Sequence, residues 1–306
     1  MKVGIVGAGY VGATAGYALV TGNIASELVF IDRNHARAEG EAMDVAHATP
    51  YSNPVAVRAG DYSDLAGASL VIIAAGANQK PGETRLDLAA KNATIFRDIV
   101  PRIVENAPNA ILLVATNPVD VLTHVTYEAS GLEASRVIGS GTTLDTARLR
   151  SLIAAKAHVS PKNVHGYVIG EHGDSEIVAW SAVDIAGLPL AKYFAARGMA
   201  WDEHAADNVQ NDVRRAAYEI INRKGATYYG VASALASVSQ AILQNQNTVM
   251  TVSMSDNGVA YSLPRVVGRQ GIVATLELNL GDSEQQDLDS SVAVIRQATE
   301  SVSQTH

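Results

Sequence analysis

The feature that most constrains the fold is the junction between the run KVGIVG, residues 2–7, and the pattern GAGYVG, residues 7–12. Consecutive apolar residues suit a strand buried on both faces. G-x-G-x-x-G between a strand and a helical pattern suits a phosphate-binding turn: Gly7 permits the tight turn, Gly9 lets a pyrophosphate approach the backbone, and Gly12 lets the helix lie close on the sheet. Free N–H groups at the helix start favour the phosphate charge. Twenty residues past Gly12, Asp32 ends the next apolar run, ELVFID (27–32). A carboxylate there accepts hydrogen bonds from ribose hydroxyls and repels a 2′-phosphate. The expected ligand is therefore NAD rather than NADP, held by Gly7, Gly9, Tyr10, Val11, Gly12 and Asp32. A glycine-rich turn beside a surface acid is the bland alternative, and context and spacing both argue against it.

The same grammar continues through the first half. Runs at 55–60, 70–76, 111–116 and 136–141 alternate with helical patterns near 10–22, 35–47, 85–107 and 119–130. The order βαβα predicts an α/β protein with an N-terminal Rossmann doubly wound parallel sheet. Pro101 is expected to kink or break the third helix. Past residue 141 the pattern changes. A helix near 143–157, β-rich segments at 163–170 and 176–187, a long helical region at about 204–243, strands at 248–255 and 259–268 and a last helix near 283–302 predict a C-terminal α+β substrate domain. The expected division is 1–140 for the cofactor and 141–306 for the substrate, with a ligand cleft between them.

Composition narrows the function. The net charge of −8, without a block of like charges, disfavours nucleic acid as a partner. The absence of cysteine removes disulfides and thiolate chemistry. No apolar stretch is long enough to span a bilayer and the N-terminal glycines do not suit a signal peptide, so a soluble cytoplasmic protein with no membrane partner is expected. No metal-ligand pattern stands out.

A nucleotide site alone would also suit a cofactor-sensing regulator or a methyltransferase. The residues that argue for redox catalysis lie in GTTLDTARLR (141–150) and VIGEHGDSE (168–176). Asp145 and Arg148, three apart, share a helix face, while Arg150 points away from Arg148. A surface ion pair and a polar turn are the bland readings of these segments. A dehydrogenase of 2-keto acids needs a planar cation for the carboxylate, a proton donor titrating near neutrality, a buried acid behind that donor, and a second cation to polarise the carbonyl. Joined to His172, the 141–150 helix with its arginines and Asp145 offers candidates for the first three. Arg85, in the Gly/Pro-containing polar stretch 75–88, supplies the fourth if that stretch closes over the ligand.

GAGYVG, GANQKPGETR, ATNPVDV, GSGTTLDTARLR, GEHGDSE and KGATYYG follow one another as in the lactate/malate dehydrogenase family, which this chain resembles over essentially its whole length. Within that family it is most similar to the bacterial lactate-specific members. The resemblance implies that His172 is the acid/base residue, Asp145 its partner, Arg148 the carboxylate-binding arginine and Arg85 the loop arginine. It implies that Asn117 lies near the nicotinamide ribose and the substrate, that Gly76 lies along the cofactor, and that the Asn117–Pro118 bond is cis. The family's malate-specific members carry arginine where this chain has Gln79. A second substrate carboxylate would lack a partner there, so pyruvate and L-lactate are expected, with malate or a broader range of 2-keto acids as the alternative. Thr227 matches the residue lining that end of the pocket in lactate enzymes. Arg150 and His165 match residues that bind fructose 1,6-bisphosphate at a subunit interface in allosteric members, although an ordinary interface pair would look the same. A homotetramer is expected. The first strand begins at Lys2, without the N-terminal arm of vertebrate members, so other surfaces would hold that tetramer.

Overall fold

The structure, a computed structural model, describes residues 1–77 and 84–303, and of Arg85 only its place on the backbone. Six parallel strands form the centre: β1 (Lys2–Val6), β2 (Glu27–Ile31), β3 (Ala56–Ala59), β4 (Leu70–Ile73), β5 (Ile111–Val114) and β6 (Val137–Gly139), in the order β3-β2-β1-β4-β5-β6. The helices joining them are α1 (Tyr10–Thr21), α2 (His35–Ala46), α3 (Arg85–Asn106) and α4 (Val119–Ser130), and α5 (Thr143–Ala157) follows β6. Alternation within the strands explains how both faces are filled. Val3, Ile5, Leu70, Ile72 and Leu113 join Ala15, Leu19 and Ala38 in one apolar core. Their neighbours Val6, Val71, Ile73, Leu112 and Val114 join Ala93, Phe96 and Leu122 in another. The strand order reverses between β1 and β4, and the crevice beyond their C-terminal ends is where such sheets bind ligands.

After α5 come five two-residue strands, β7 (Val164–His165), β8 (Val168–Ile169), β9 (Ile177–Val178), β10 (Asp184–Ile185) and β11 (Leu188–Pro189). The expected β-rich stretch at 176–187 is thus two short strands separated by a 3-10 turn at Trp180–Ala182. Helix α6 (Leu190–Ala196) follows. The long helical region is two helices, α7 (Glu203–Lys224) and α8 (Tyr229–Leu243). Gly225 ends α7 at φ +84°, a left-handed cap that suits glycine. Strands β12 (Thr248–Asp256), β13 (Val259–Gly268) and β14 (Gly271–Thr275) then extend the central sheet antiparallel from β6, giving nine strands among the described residues. Helix α9 (Asp282–Ser303) closes the described chain.

Of the kink or break expected at Pro101, the break does not occur: α3 runs through it. Ala89, Ala93, Phe96, Val100 and Ile103 are buried on both sides of it, while Pro101 lies on the exposed face. Packing of that stripe outweighs the lost backbone hydrogen bond. Among the described residues no helix is long and apolar enough to cross a membrane.

Leu113 is fully buried in β5, between β4 and β6. Leu113→Ala is expected to lower stability by about 2–5 kcal/mol. In urea unfolding this appears as a lower midpoint at unchanged slope, and a smaller loss would place the core elsewhere.

Candidate active site

The glycine turn and Asp32 meet at the crevice. Gly7 extends the β1–β2 ladder by donating its N–H to the Ile31 carbonyl at 2.7 Å. It sits at φ +103°, and a Cβ there would lie 2.3 Å from the Ala75 nitrogen. A Cβ on Gly12 would lie 1.9 Å from the Gly7 carbonyl oxygen, so turn and helix interlock only without side chains. Above Gly9, at the N-cap of α1, the space is open. Tyr10 and Val11 begin α1, Tyr10 exposed and Val11 half-buried. The Asp32 carboxylate accepts from the N–H of Ala8 at 2.8 Å and of Asn34 at 2.9 Å, fixing it beside the turn. An open backbone cradle flanked by a fixed acid fits a dinucleotide.

Across the crevice, Gly76 follows β4 and Asn117 follows β5. Buried Asn92 on α3 ties the two loops together, accepting from the Ala77 N–H at 2.8 Å and donating to the Asn117 carbonyl at 2.9 Å. The Asn117–Pro118 bond is cis.

Asp145 lies in the first turn of α5, where the helix dipole favours a negative charge. It is 1% exposed. One oxygen accepts from the Arg148 guanidinium at 2.7 Å, and the other lies 2.6 Å from His172 Nδ1. The remaining imidazole nitrogen, Nε2, is therefore the one free to act. His172 is 24% exposed on its side chain and lines a small pocket with Asn117, Ser140, Leu144, Val231 and Ala234.

The loop carrying His172 is pinned from four sides. Gly170 pairs with Ser262 of β13, and the Glu171 N–H donates to Ser291 of α9 at 2.9 Å. The His172 N–H donates to Asp120 of α4 at 2.7 Å, and Tyr218 of α7 donates to Asp174 at 2.7 Å. Asp120 was missed in the sequence, although it is the only acid in a stretch of α4, residues 119–126, that is wholly buried. Burial pushes its carboxyl up to about 6, against the His172 N–H and its charge. Glu176 was missed as well.

Burial works against a charged His172. The Asp145 charge and hydrogen bond overcome it, with help from Asp120 and Glu176, and hold the imidazolium up to about 9. Burial also opposes ionised Asp145, yet His172 and Arg148 together keep its carboxyl below the usual range. The folded His172 value lies above its ordinary 6.5, so its charge adds stability that is complete below about 6.5 and is lost as pH rises through about 9.

Other predicted residues lie around this pair. Thr227 is half-buried in the break between α7 and α8. Arg85 begins α3, after a capping box made by Thr84 and Asp87. Gln79 lies outside the described residues. Arg150 does not join the Asp145 pair; its Nε and Nη2 donate to the Gly166 carbonyl at 3.3 and 3.2 Å, and it lies over the Tyr167 ring. That places it beside the strand of His165, which is exposed.

A doubly wound sheet with a glycine turn and a fixed acid at its switch point defines a dinucleotide-binding protein. Residues 1–139 match the NAD binding domain of lactate/malate dehydrogenases, and residues 142–305 match the alpha/beta C-terminal domain of the same family. The chain belongs to the lactate/malate dehydrogenase family, and its cofactor is NAD. Among its relatives, an L-lactate dehydrogenase of Chloroherpeton thalassium is 50% identical over 305 residues, 99% of this chain and 100% of that protein. An L-lactate dehydrogenase of Thermus aquaticus is 49% identical over 304 residues, 97% of this chain and 98% of the other. The solved structure of a minor L-lactate dehydrogenase from Enterococcus mundtii, in a ligands-bound form, superposes with a TM-score of 0.95 at 42% identity, covering 98% of each chain. A lactate dehydrogenase from a Medee basin deep-sea metagenome superposes with the same score and identity, covering 99% of this chain and 98% of that one.

Asp145→Asn keeps the shape but removes the charge behind His172. The imidazole titration, followed by NMR, is expected to fall by about one pH unit or more. An unmoved midpoint would mean that Asp145 does not set the acidity of His172.

Proposed function

We propose that the protein is an L-lactate dehydrogenase that interconverts pyruvate and L-lactate. The observation that carries this reading is the buried Asp145 joining His172 to Arg148 at the cofactor crevice. The L-lactate dehydrogenases that match over nearly the full chain support it.

NADH, when bound, supplies the hydride. The chain's own residues do the rest. Arg148, held by Asp145 through one nitrogen, keeps guanidinium N–H groups for the substrate carboxylate. His172 Nε2 faces the keto oxygen and gives it a proton. In the reverse direction the same nitrogen takes the proton from the hydroxyl, while Asp145 fixes the tautomer through Nδ1. Arg85 polarises the carbonyl as negative charge grows. Gln79 and Thr227 line the methyl end of the substrate, and Gln79 leaves a second carboxylate unpaired. Gly7, Gly9, Tyr10, Val11, Gly12, Asp32, Gly76 and Asn117 hold the cofactor. Residues 1–140 serve as the cofactor domain and 141–306 as the substrate domain.

NADH absorbance followed with pyruvate and then oxaloacetate is expected to show preference for pyruvate. Gln79→Arg is expected to raise activity on oxaloacetate relative to pyruvate, and an unchanged ratio would sink this account of specificity.

The reading extends to a cytoplasmic homotetramer. Fructose 1,6-bisphosphate binds at a subunit interface through Arg150 and His165, a cation and an imidazole suited to an anionic sugar phosphate. Adding the bisphosphate is expected to tighten pyruvate binding or stabilise the tetramer, and Arg150→Gln to abolish the response. No effect on either property in the unaltered protein would remove the effector site from the proposal.

A further inference from the structure

Glu176 has no direct part in the binding and proton-transfer roles described above, yet its carboxyl lies directly behind His172. It is 3% exposed, and its Oε1 has no hydrogen-bond partner among the described residues. A carboxylate oxygen of Glu176, one of Asp145 and a ring nitrogen of His172 all lie within 4.8 Å of one another. Its backbone is held at both ends: its N–H donates to the Gly173 carbonyl at 3.3 Å, and its carbonyl accepts from Arg214 of α7 at 2.9 Å. A carboxyl group buried beside another carboxylate with an oxygen left unpartnered is costly. A neutral residue of the same shape would be cheaper for the fold, so the carboxyl is placed where its charge acts on its neighbours.

We propose that Glu176 is a positioning residue for the reaction, a second carboxyl behind His172 that keeps the imidazole protonated as pH rises. This rests on the reading of His172 as the proton donor. Burial and then the Asp145 charge push the Glu176 carboxyl up to about 8, while His172, Arg148 and Arg214 pull the other way. At neutral pH Glu176 is therefore mostly uncharged, and the Asp145–His172 ion pair stands without a competing anion. As pH climbs, Glu176 ionises before His172, whose own value is about 9. The new negative charge then opposes loss of the imidazole proton. The charged groups acting on Glu176 are His172 itself, Asp145 and Arg148 on α5, and Arg214 on α7, with Asp287 of α9 lining the same cleft of about 350 Å³, while Asp120 on α4 acts on His172. Arg148 and Arg214 offset part of the effect, and Asp145 and Asp120 act in the same direction as Glu176.

The test compares the full-length protein with Glu176→Gln and Glu176→Asp. The first readout is the His172 titration by NMR, which needs no turnover. The second is kcat/KM for pyruvate from pH 6 to pH 10. In Glu176→Gln the His172 midpoint and the alkaline limb of kcat/KM are both expected to move down by about one pH unit, a tenfold loss near pH 9 relative to the native enzyme. Glu176→Asp is expected to restore most of the native profile. A packing role alone would lower thermal stability or kcat at every pH without moving either midpoint, and that result overturns the proposal. If Glu176→Gln does not fold, ¹³C-labelled glutamate in the native protein decides. Ionisation of Glu176 accompanied by an upward shift of the His172 signal supports the proposal, and a Glu176 that stays uncharged through the whole His172 titration overturns it. Absence of any pyruvate activity in the native protein would count against the function, while the His172 titration would still report on Glu176.

Discussion

A buried carboxylate is tolerable only when its charge is answered, and Asp145 has one oxygen on the Arg148 guanidinium and the other on His172 Nδ1. This arrangement orders the rest of the site. It fixes which imidazole nitrogen is free, it keeps the ring charged, and it holds an arginine three residues along the same helix beside that ring. Without the carboxylate, two cations would crowd one crevice with nothing between them. The ion pair contributes less to net stability than to geometry, because the cost of burial offsets much of the attraction.

The sheet makes this meeting possible. β1 and β4 pair side by side, and the connections leaving them run in opposite directions along the sheet, which leaves a crevice beyond their C-terminal ends. The glycine turn lines one wall of it, and the loops holding Gly76 and Asn117 line the other, tied together by Asn92. Helix α5 leaves the edge of the same parallel sheet at β6 and presents Asp145 from its first turn. The loop of His172 comes from later in the chain and is clamped by α4, α7, α9 and β13. Four elements therefore set the position of one imidazole, so changes distant from the crevice reach it through packing.

Several of these features are legible in the residues alone. Consecutive apolar runs such as LVII and ILLV mark strands buried on both faces, and the G-x-G-x-x-G turn with Asp32 marks the cofactor end of the crevice. The shared face of Asp145 and Arg148 follows from helical spacing. Other features are invisible at that level. Local pattern predicts a kink or break at Pro101, but the buried stripe from Ala89 to Ile103 carries the helix through without a break. The long region after residue 204 reads as continuously helical, yet it divides at Gly225. Pairing of β12 with β6 joins residues more than a hundred positions apart, which periodicity does not encode.

What the chain's own order of residues determined was the kind of element at most places, the phosphate turn, the preference for NAD, and the shared helix face of Asp145 and Arg148. These rest on spacing and residue type, which act over a turn or a strand. Only the tertiary structure decided that Asp120 grips the backbone of His172 and that Glu176 lies buried behind it, one carboxyl oxygen without a hydrogen-bond partner among the described residues. A carboxyl group in a sequence has an ordinary acidity. Its charge state in the folded protein depends on burial and on neighbours brought from distant segments, and those distances exist only once the chain has folded.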